Sequence, residues 1–200
     1  MGMFTAVSQT AFDQLQLDAG MILKKFDPEH PAAPADEDIV TATSGGIQVS
    51  CVPTYSDFGE DVDNVPVNLM ELKHLDSWEC KLSTTALGTD PELIKMSLGA
   101  ADIDGETHIV PRRDLKLTDF GDLWWVGDKA DGGMVAVKLT NALSTGGFSM
   151  QTTKNGKGTF ALEITGHVSV KAQDVVPMQF YVAEGDFIAS LDDTVEIGNG

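Results

Sequence analysis

The sequence has few basic residues, few cysteines and no long apolar run, and each scarcity argues against a class of protein. It carries 13 lysines and arginines against 31 acidic residues, a formal net charge of −18. A surface of this sign repels phosphates, so specific binding of nucleic acid is disfavoured. No stretch approaches the roughly 18 consecutive apolar residues of a membrane helix. The first residues, 1–16, have no basic or apolar region typical of a secretion signal, so we expect synthesis and function in a cytoplasm, or in a particle assembled there.

The two cysteines, Cys51 and Cys80, lie in apolar or alternating stretches and do not form a CxxC pair. A zinc site would need further ligands at a recognisable spacing, and none is present. A disulfide is disfavoured in a chain without a secretion signal. We therefore expect both cysteines to be small buried hydrophobic side chains.

Sequence motifs of the common enzyme classes are also missing. There is no G-x-S-x-G, and the glycine clusters at Thr43–Gly46 and Ser144–Gly147 lack the lysine of a phosphate-binding loop. The four histidines form neither an HxxxH nor an HxH pair: His30, His74, His108 and His167. We expect no enzymatic activity, no cofactor and no metal.

What the sequence does contain is alternation of apolar and polar residues, which is typical of half-buried strands. The clearest run spans Thr159–Lys171, with Gly166 keeping the phase, and others surround Cys51, Cys80 and Phe180. Turn signals at 131–133 and 155–156 predict two hairpins. The fold class expected is mainly β, an antiparallel β sandwich or open barrel forming a single domain over 1–200.

One flanking α-helix is predicted over 89–99. Thr89 or Asp90 can cap its first turn, Pro91 suits the first helical position, and Gly99 can end it. The segments 1–21 and 183–200 are predicted to be extended N-terminal and C-terminal arms.

A long polar excursion, predicted over 53–75, separates two of the strands. Loops of this length inside a compact domain are uncommon and are usually functional or ordered by a partner. Its candidate interface residues are aromatic, acidic or amide: Tyr55, Asp57, Phe58, Glu60, Asp61, Asp63 and Asn64. Several carboxylates could instead suggest calcium, but the spaced pattern and final glutamate of an EF-hand are absent.

Two adjacent tryptophans, Trp124 and Trp125, are a second candidate interface. Because adjacent strand positions face opposite ways, we expect one ring in the core and one at the surface. An exposed tryptophan would suit a subunit interface, where aromatic residues are enriched. A carbohydrate-binding platform is the alternative.

Several stretches together resemble the major tail protein family, the tail tube proteins, of siphophages and prophages of Gram-positive bacteria. They are GGIQVSCVPTYSDFGEDVDNVPVNLMELKHLDSWECKLSTTAL, LGAADIDG, HIVPRRDLKLTDFGDLWWVGDK and VKLTNALSTGGFSMQTTKNGKGTFALEITGHVSVKAQDVVPMQFYV. The resemblance runs from about Leu17 to Val182. It consists of blocks along the whole length and includes no catalytic signature.

This resemblance implies a structural subunit that closes into hexameric rings, which stack into a hollow tube conducting viral DNA. The formal net charge of −18 predicts that the lumen is acidic and lets viral DNA pass without specific binding. The excursion at 53–75 lies where the family has its inter-ring stacking loop, and the terminal arms are further candidates for ring contacts. Implied partners are other copies of the chain, a tape-measure protein, a tail terminator and a baseplate or initiator complex. The implied location is the virion tail, assembled in the bacterial cytoplasm.

Two other functions stay open at this point. A tube protein of a tailocin or another contractile injection machine would share the ring architecture. A carbohydrate-binding β-sandwich module would account for the tryptophan pair and the acidic excursion.

Overall fold

The computed structural model describes residues 8–185, and over this range the chain is mainly β with one α-helix, as predicted. Short 3-10 turns occur at Gln9–Ala11, Asp36–Asp38, Met70–Leu72 and Leu117–Asp119. The helix is α1 (Pro91–Leu98). The strands are β1 (Gln16–Leu23), β2 (Thr43–Asp57), β3 (Lys73–Ala86), β4 (Ala101–Asp104), β5 (His108–Pro111), β6 (Gly121–Lys129), β7 (Met134–Ser144), β8 (Met150–Gln151), β9 (Thr159–Thr165) and β10 (Met178–Ala183).

Eight strands form one antiparallel sheet that folds over at β7. The first part of β7 lies between β6 and β10, whereas its last two residues, Leu143 and Ser144, pair with β9. We call β1, β6, β7 and β10 the first half-sheet, and β2, β3, β9 and β8 the second half-sheet. Strands β4 and β5 form a separate hairpin beside α1.

The main hydrophobic core lies between the two half-sheets, which makes the fold a β sandwich. Side chains from both halves contribute to one buried cluster, including Ile22, Leu82, Leu139, Leu162 and Ile164, each at most 1% exposed. Full burial of each such side chain contributes about 1.5–3 kcal/mol.

Helix α1 begins and ends close to the predicted 89–99 boundaries. Asp90 is the N-cap, because its Oδ1 accepts a hydrogen bond of 3.0 Å from the Leu93 amide, and Pro91 fills the first position. Gly99 adopts φ 73° at the C-terminal end. Leu93 is buried in the main core, and the Ser97 carbonyl accepts a 2.9 Å hydrogen bond from Ser144 Oγ. These contacts hold the helix beside the end of β7, where the sheet folds over.

Both predicted hairpins are present. The turn at 131–133 joins β6 to β7, and the one at 155–156 lies between β8 and β9. In the first turn, Asp131 Oδ1 accepts from the Gly133 amide at 2.9 Å, and Oδ2 lies 2.8 Å from the buried Lys129 ammonium.

The prediction of an N-terminal arm over 1–21 is wrong for its last part. Strand β1 begins at Gln16 and pairs with β6, from Gln16 opposite Lys129 to Leu23 opposite Trp124. Its register shifts between Leu17 and Met21, where Asp18 and Gly20 have positive φ. This irregularity interrupts the alternation that would have indicated a strand. Residues 1–7 lie outside the described range.

The prediction that one strand runs through Gly166 to Lys171 is also wrong, since β9 ends at Thr165. At Gly166 the chain passes so close to β7 that an added Cβ would meet Leu139 Cδ1 at 2.7 Å. Val168 and Val170 beyond it are exposed.

At the other end of the chain, the C-terminal arm predicted over 183–200 begins one residue inside β10, which includes Ala183. Residues 186–200 lie outside the described range.

Candidate interface: the protruding hairpin and the open sheet edges

The predicted excursion at 53–75 is the distal part of a β-hairpin: its two ends belong to strands, and the long loop forms the tip between them. Strand β2 continues to Asp57, which pairs with Lys73, so the loop spans only 58–72. Pro53 obscured this continuation because proline cannot donate to a strand ladder. It is tolerated here because β2 is the edge strand of its half-sheet.

This hairpin projects past the rest of the second half-sheet. Strand β3 pairs with β9 only from Lys81 to Ala86, so towards the tip β2 and β3 pair only with each other. We call residues 52–79 the extension; it leaves the sandwich at the facing pair of Cys51, which is partly buried, and Cys80, which is buried in the main core. A two-stranded hairpin alone is only marginally stable in water, so one of this length suggests a neighbour that covers it.

One face of the extension carries apolar side chains that continue the line of the core. Because side chains alternate along a strand, Pro53 and Tyr55 follow Cys51 on the inner face, and Trp78 follows Cys80. Tyr55 pairs with Leu75, and Tyr55, Leu75 and Trp78 are 52%, 41% and 37% exposed. The sequence analysis identified Tyr55 as a candidate residue but missed Leu75 and Trp78.

The tip has a defined local structure built around Asp57. One carboxylate oxygen accepts from the Gly59 amide at 3.0 Å, and the other accepts from the Asn68 amide at 2.9 Å. These two hydrogen bonds, together with the charge of Lys73, hold the pKa of Asp57 below its usual value. Asp57, predicted to be a contact residue, therefore organises the loop.

The other predicted contact residues of this loop are exposed. Phe58 is 66% exposed, with its ring centroid 5.7 Å from that of His74. The remaining four form the outer surface of the tip: Glu60, Asp61, Asp63 and Asn64. Exposed apolar side chains, including Met70 at 81%, lie among them. The extension carries seven carboxylates and one lysine, so its surface is both acidic and apolar.

Both tryptophans are buried, so the prediction that one ring is at the surface is wrong. Trp125 lies in the main core, and its Nε1 donates to the Ala19 carbonyl at 3.1 Å. Trp124 lies on the opposite face, where Phe26 contacts it edge-on and Tyr181 lies 5.5 Å away between ring centroids. The segment between β1 and β2, which carries Phe26, covers this face. The two rings therefore point to opposite faces of the sheet, and both faces are covered.

The first half-sheet has open edges on both sides. Along β10, hydrogen-bonding groups that do not face β7 have no strand partner among residues 8–185. Strand β1 is the opposite edge, where only its end, at Leu23, forms a bridge to Ile39. Phe180 and Val182 on β10 are 59% and 67% exposed, although they pair with Val137 and Val135 of β7. An open edge beside exposed apolar side chains favours pairing with another chain.

Over residues 8–185, no group of three or more His, Cys, Asp or Glu side chains is arranged to hold a metal ion. No helix in that range is long and apolar enough to cross a membrane.

No model of a known protein family matches the chain, and no curated protein resembles it closely enough to count as a relative.

Proposed function

We propose that this chain is the structural subunit of a bacteriophage tail tube, closing into hexameric rings that stack into a DNA conduit. The observation that carries the proposal is the extension at 52–79, which projects beyond the sandwich with an exposed apolar face and an acidic tip. Its position matches the stacking loop implied by the sequence resemblance described above. The proposal makes the tip a contact between adjacent rings.

The two open edges of the first half-sheet support ring closure. A sheet with β1 at one edge and β10 at the other can continue from one subunit into the next. Closing the sheet around a ring removes both edges, which resolves their tendency to pair unspecifically. Stacking of such rings is a head-to-tail contact and is open-ended. Length and starting point therefore require partners, which the resemblance suggests are tape-measure, terminator and baseplate or initiator proteins.

A test of the stacking role is to replace residues 58–72 with an Asn-Gly turn after Asp57. The strands keep their pairing up to Asp57 and Lys73, and Asn-Gly is the preferred two-residue hairpin turn. We expect a folded protein that forms rings without tubes, as seen by negative-stain electron microscopy and circular dichroism. Tubes of normal length from this variant would contradict the assignment.

Two point variants, tested in the same assay, distinguish the loss of a contact between rings from a general change in the surface of the subunit. Met70 and Leu117 are 81% and 90% exposed, but only Met70 lies in the tip. We expect Met70→Ser to shorten or abolish tubes, whereas Leu117→Ser leaves them unchanged. Equal effects of the two variants would assign the defect to general surface properties.

The same geometry suits a tube of a tailocin or another contractile injection machine. The presence of a sheath gene beside this one in its genome would favour that alternative. The carbohydrate-binding alternative loses its main support, because Trp124 and Trp125 are both buried.

A further inference from the structure

Two free thiols lie opposite each other at the base of the extension. Cys51 of β2 pairs with Cys80 of β3, and their sulfur atoms are 3.2 Å apart. A disulfide bond is about 2.0 Å long, so the sulfurs are in contact but not bonded. The chain has no other cysteine, so each thiol has a single possible partner within its own chain.

The backbone at this pair suits a bond between the two sulfurs. The Cys80 carbonyl accepts a 2.9 Å hydrogen bond from the Gly166 amide, so the polar backbone groups of Cys80 point away from β2. Cys51 and Cys80 are therefore a non-hydrogen-bonded pair, in which the Cα atoms of antiparallel strands are about 4.5 Å apart. Disulfides span Cα separations of about 4.4–6.8 Å. A bond can therefore form here without a change in strand pairing.

The two thiols differ in their access to solvent. Cys51 is partly exposed on the edge strand β2, whereas Cys80 is fully buried on β3. Burial first, and then the neighbouring Cys51, raises the pKa of Cys80 to about 12, so its thiolate is scarce at neutral pH. Because the thiolate is the form that attacks a disulfide, an oxidant in solution reacts with Cys51 before Cys80.

We propose that Cys51 and Cys80 are the site of an intrachain disulfide, which forms when the chain passes from a reducing medium into one that contains small-molecule disulfides. We call this bond the clip. That passage rests on the proposed function, because a virion leaves the cytoplasm in which it is assembled and in which thiols are kept reduced. The clip joins the two strands at the point where the extension leaves the sandwich.

The reaction is a pair of thiol–disulfide exchanges, with oxidised glutathione as the model oxidant. The Cys51 thiolate attacks one sulfur of oxidised glutathione, whose S–S bond breaks and releases one glutathione thiolate. Cys80 then loses its proton and attacks the Cys51 sulfur, which releases the second glutathione. The two cysteines lose two electrons and two protons in total, and both end on the two glutathione thiols.

The clip restrains the least supported part of the described chain. Beyond it, β2 and β3 have no other strand neighbour among residues 8–185, and a hairpin of two strands is only marginally stable. Separation of the two strands that begins at the tip stops at the clip. The bond also closes a loop between positions 29 apart in sequence, which restricts the unfolded chain and stabilises the folded one.

The test incubates the purified full-length chain with oxidised glutathione at neutral pH. We expect an intact mass lower by two hydrogen atoms and, after digestion with trypsin, a crosslink between peptides 26–73 and 74–81. The midpoint of thermal unfolding should rise by about 5–10 °C and return to its first value on reduction. A chain that carries only glutathione adducts, or that forms only disulfides between chains, would overturn the proposal. A crosslink without a rise in the midpoint would overturn the restraining role.

Two variants separate the clip from other effects of the oxidant. Cys51→Ser should show neither the crosslink nor the rise in the unfolding midpoint. Cys80→Ala should stop at a single glutathione adduct on Cys51, and Cys51→Ser should take up glutathione roughly tenfold more slowly than Cys80→Ala. Equal rates for the two variants would contradict the order of attack, and a thermal shift in Cys51→Ser would show that the clip is not its cause.

A measurement on assembled tubes tests the consequence for the proposed function separately. Wild-type tubes treated with oxidised glutathione should need a higher guanidinium concentration to dissociate than reduced ones, and Cys51→Ser tubes should not change. Equal dissociation of oxidised and reduced wild-type tubes would remove the role of the clip in the tube. If the chain forms no tubes, the proposed function fails, whereas the crosslink measured on the subunit still decides whether the clip exists.

Discussion

Cys51 and Cys80 face each other across β2 and β3 at the base of the extension, with their sulfur atoms 3.2 Å apart. Both thiols are free, and Cys80 is fully buried. Burial first, and then the neighbouring Cys51, raises the pKa of Cys80 to about 12. Cys80 therefore stays protonated at physiological pH and is the small buried side chain expected from the sequence, whereas Cys51, expected to be buried as well, is only partly buried.

This raised pKa predicts a loss of stability at high pH. The folded chain holds the Cys80 proton more tightly than the unfolded chain, whose thiol has the ordinary value of 9.0. The contribution of the protonated Cys80 thiol to the free energy of unfolding is complete below pH 9 and is lost as pH rises towards 12. We expect Cys80→Ala to flatten the dependence of the free energy of unfolding on pH between 9 and 11, measured by urea denaturation. An unchanged slope would contradict the assignment.

An ion cluster around Arg112 predicts a loss of stability on the acidic side. Arg112 lies within ion-pair distance of Asp102, Asp114 and Asp119, and the Asp119 side chain is only 6% exposed. Arg112 first, and then the Lys116 amide, lowers the pKa of Asp119. The contribution of the ionised Asp119 carboxylate to stability is present above pH 3.8, the ordinary pKa of aspartate, and is lost as pH falls below it.

We expect Asp119→Asn to be less stable than the wild type at pH 7 and to approach it as pH falls towards 3. Thermal unfolding followed by circular dichroism at both pH values measures this difference. Asp114→Asn, at the more exposed partner of the same arginine, is the control and should change stability less. If the difference in stability between Asp119→Asn and the wild type were equally large at both pH values, the ionised carboxylate of Asp119 would not be its cause.

The tryptophan pair shows what residue patterns leave undetermined. The alternation rule correctly put Trp124 and Trp125 on opposite faces, but exposure depends on what covers each face. Phe26, nearly 100 positions earlier in the chain, supplies the cover, and nothing local to the tryptophans signals it. Burial on the second face was therefore beyond what a strand pattern can predict.

At the scale of elements, the N-cap of α1 gives the most direct stability prediction. Removing the Asp90 carboxylate leaves the Leu93 amide without its 3.0 Å partner. We expect Asp90→Ala to lower the free energy of unfolding by about 1 kcal/mol. Thr89→Ala is the matched control, since Asp90 makes the capping contact, and it should change stability far less. Chemical denaturation of both variants distinguishes the two candidate caps.

Elements whose signal is local were well predicted, and those that depend on distant partners were not. Helix α1 and the turns at 131–133 and 155–156 carry their own capping and turn residues. Strand β1 is irregular and depends on β6, more than 90 positions away, for its pairing. The continuation of β2 through Pro53 was missed because a strand tolerates proline only at the edge of a sheet, and the local sequence does not show that β2 is an edge strand.

At the scale of the whole molecule, the open β10 edge predicts how ring closure can be blocked. Phe180 is 59% exposed and pairs with Val137 of β7, beside the free edge. A charge at this position would be costly to bury in a contact between subunits. We expect Phe180→Glu to keep the fold but prevent rings, measured by analytical ultracentrifugation and electron microscopy.

The control for this edge is Val170→Glu. Val170 is 86% exposed but lies outside the strands, between β9 and β10. It receives the same charge without altering an edge, so rings should form normally. Rings from Phe180→Glu would rule out β10 as the closing edge.

Strand β7, shared by both half-sheets, has a mechanical consequence. A pull on the extension passes from β3 to β9, from β9 to the end of β7, and along β7 to β10 through successive antiparallel ladders. When neighbouring strands are pulled along their length, the hydrogen bonds between them are loaded in parallel and must break together and not one after another. The narrowest link is between β7 and β9, where only Leu143 and Ser144 are paired. Because this ladder has so few paired residues, the hydrophobic core packed between the half-sheets must carry part of the load at this point.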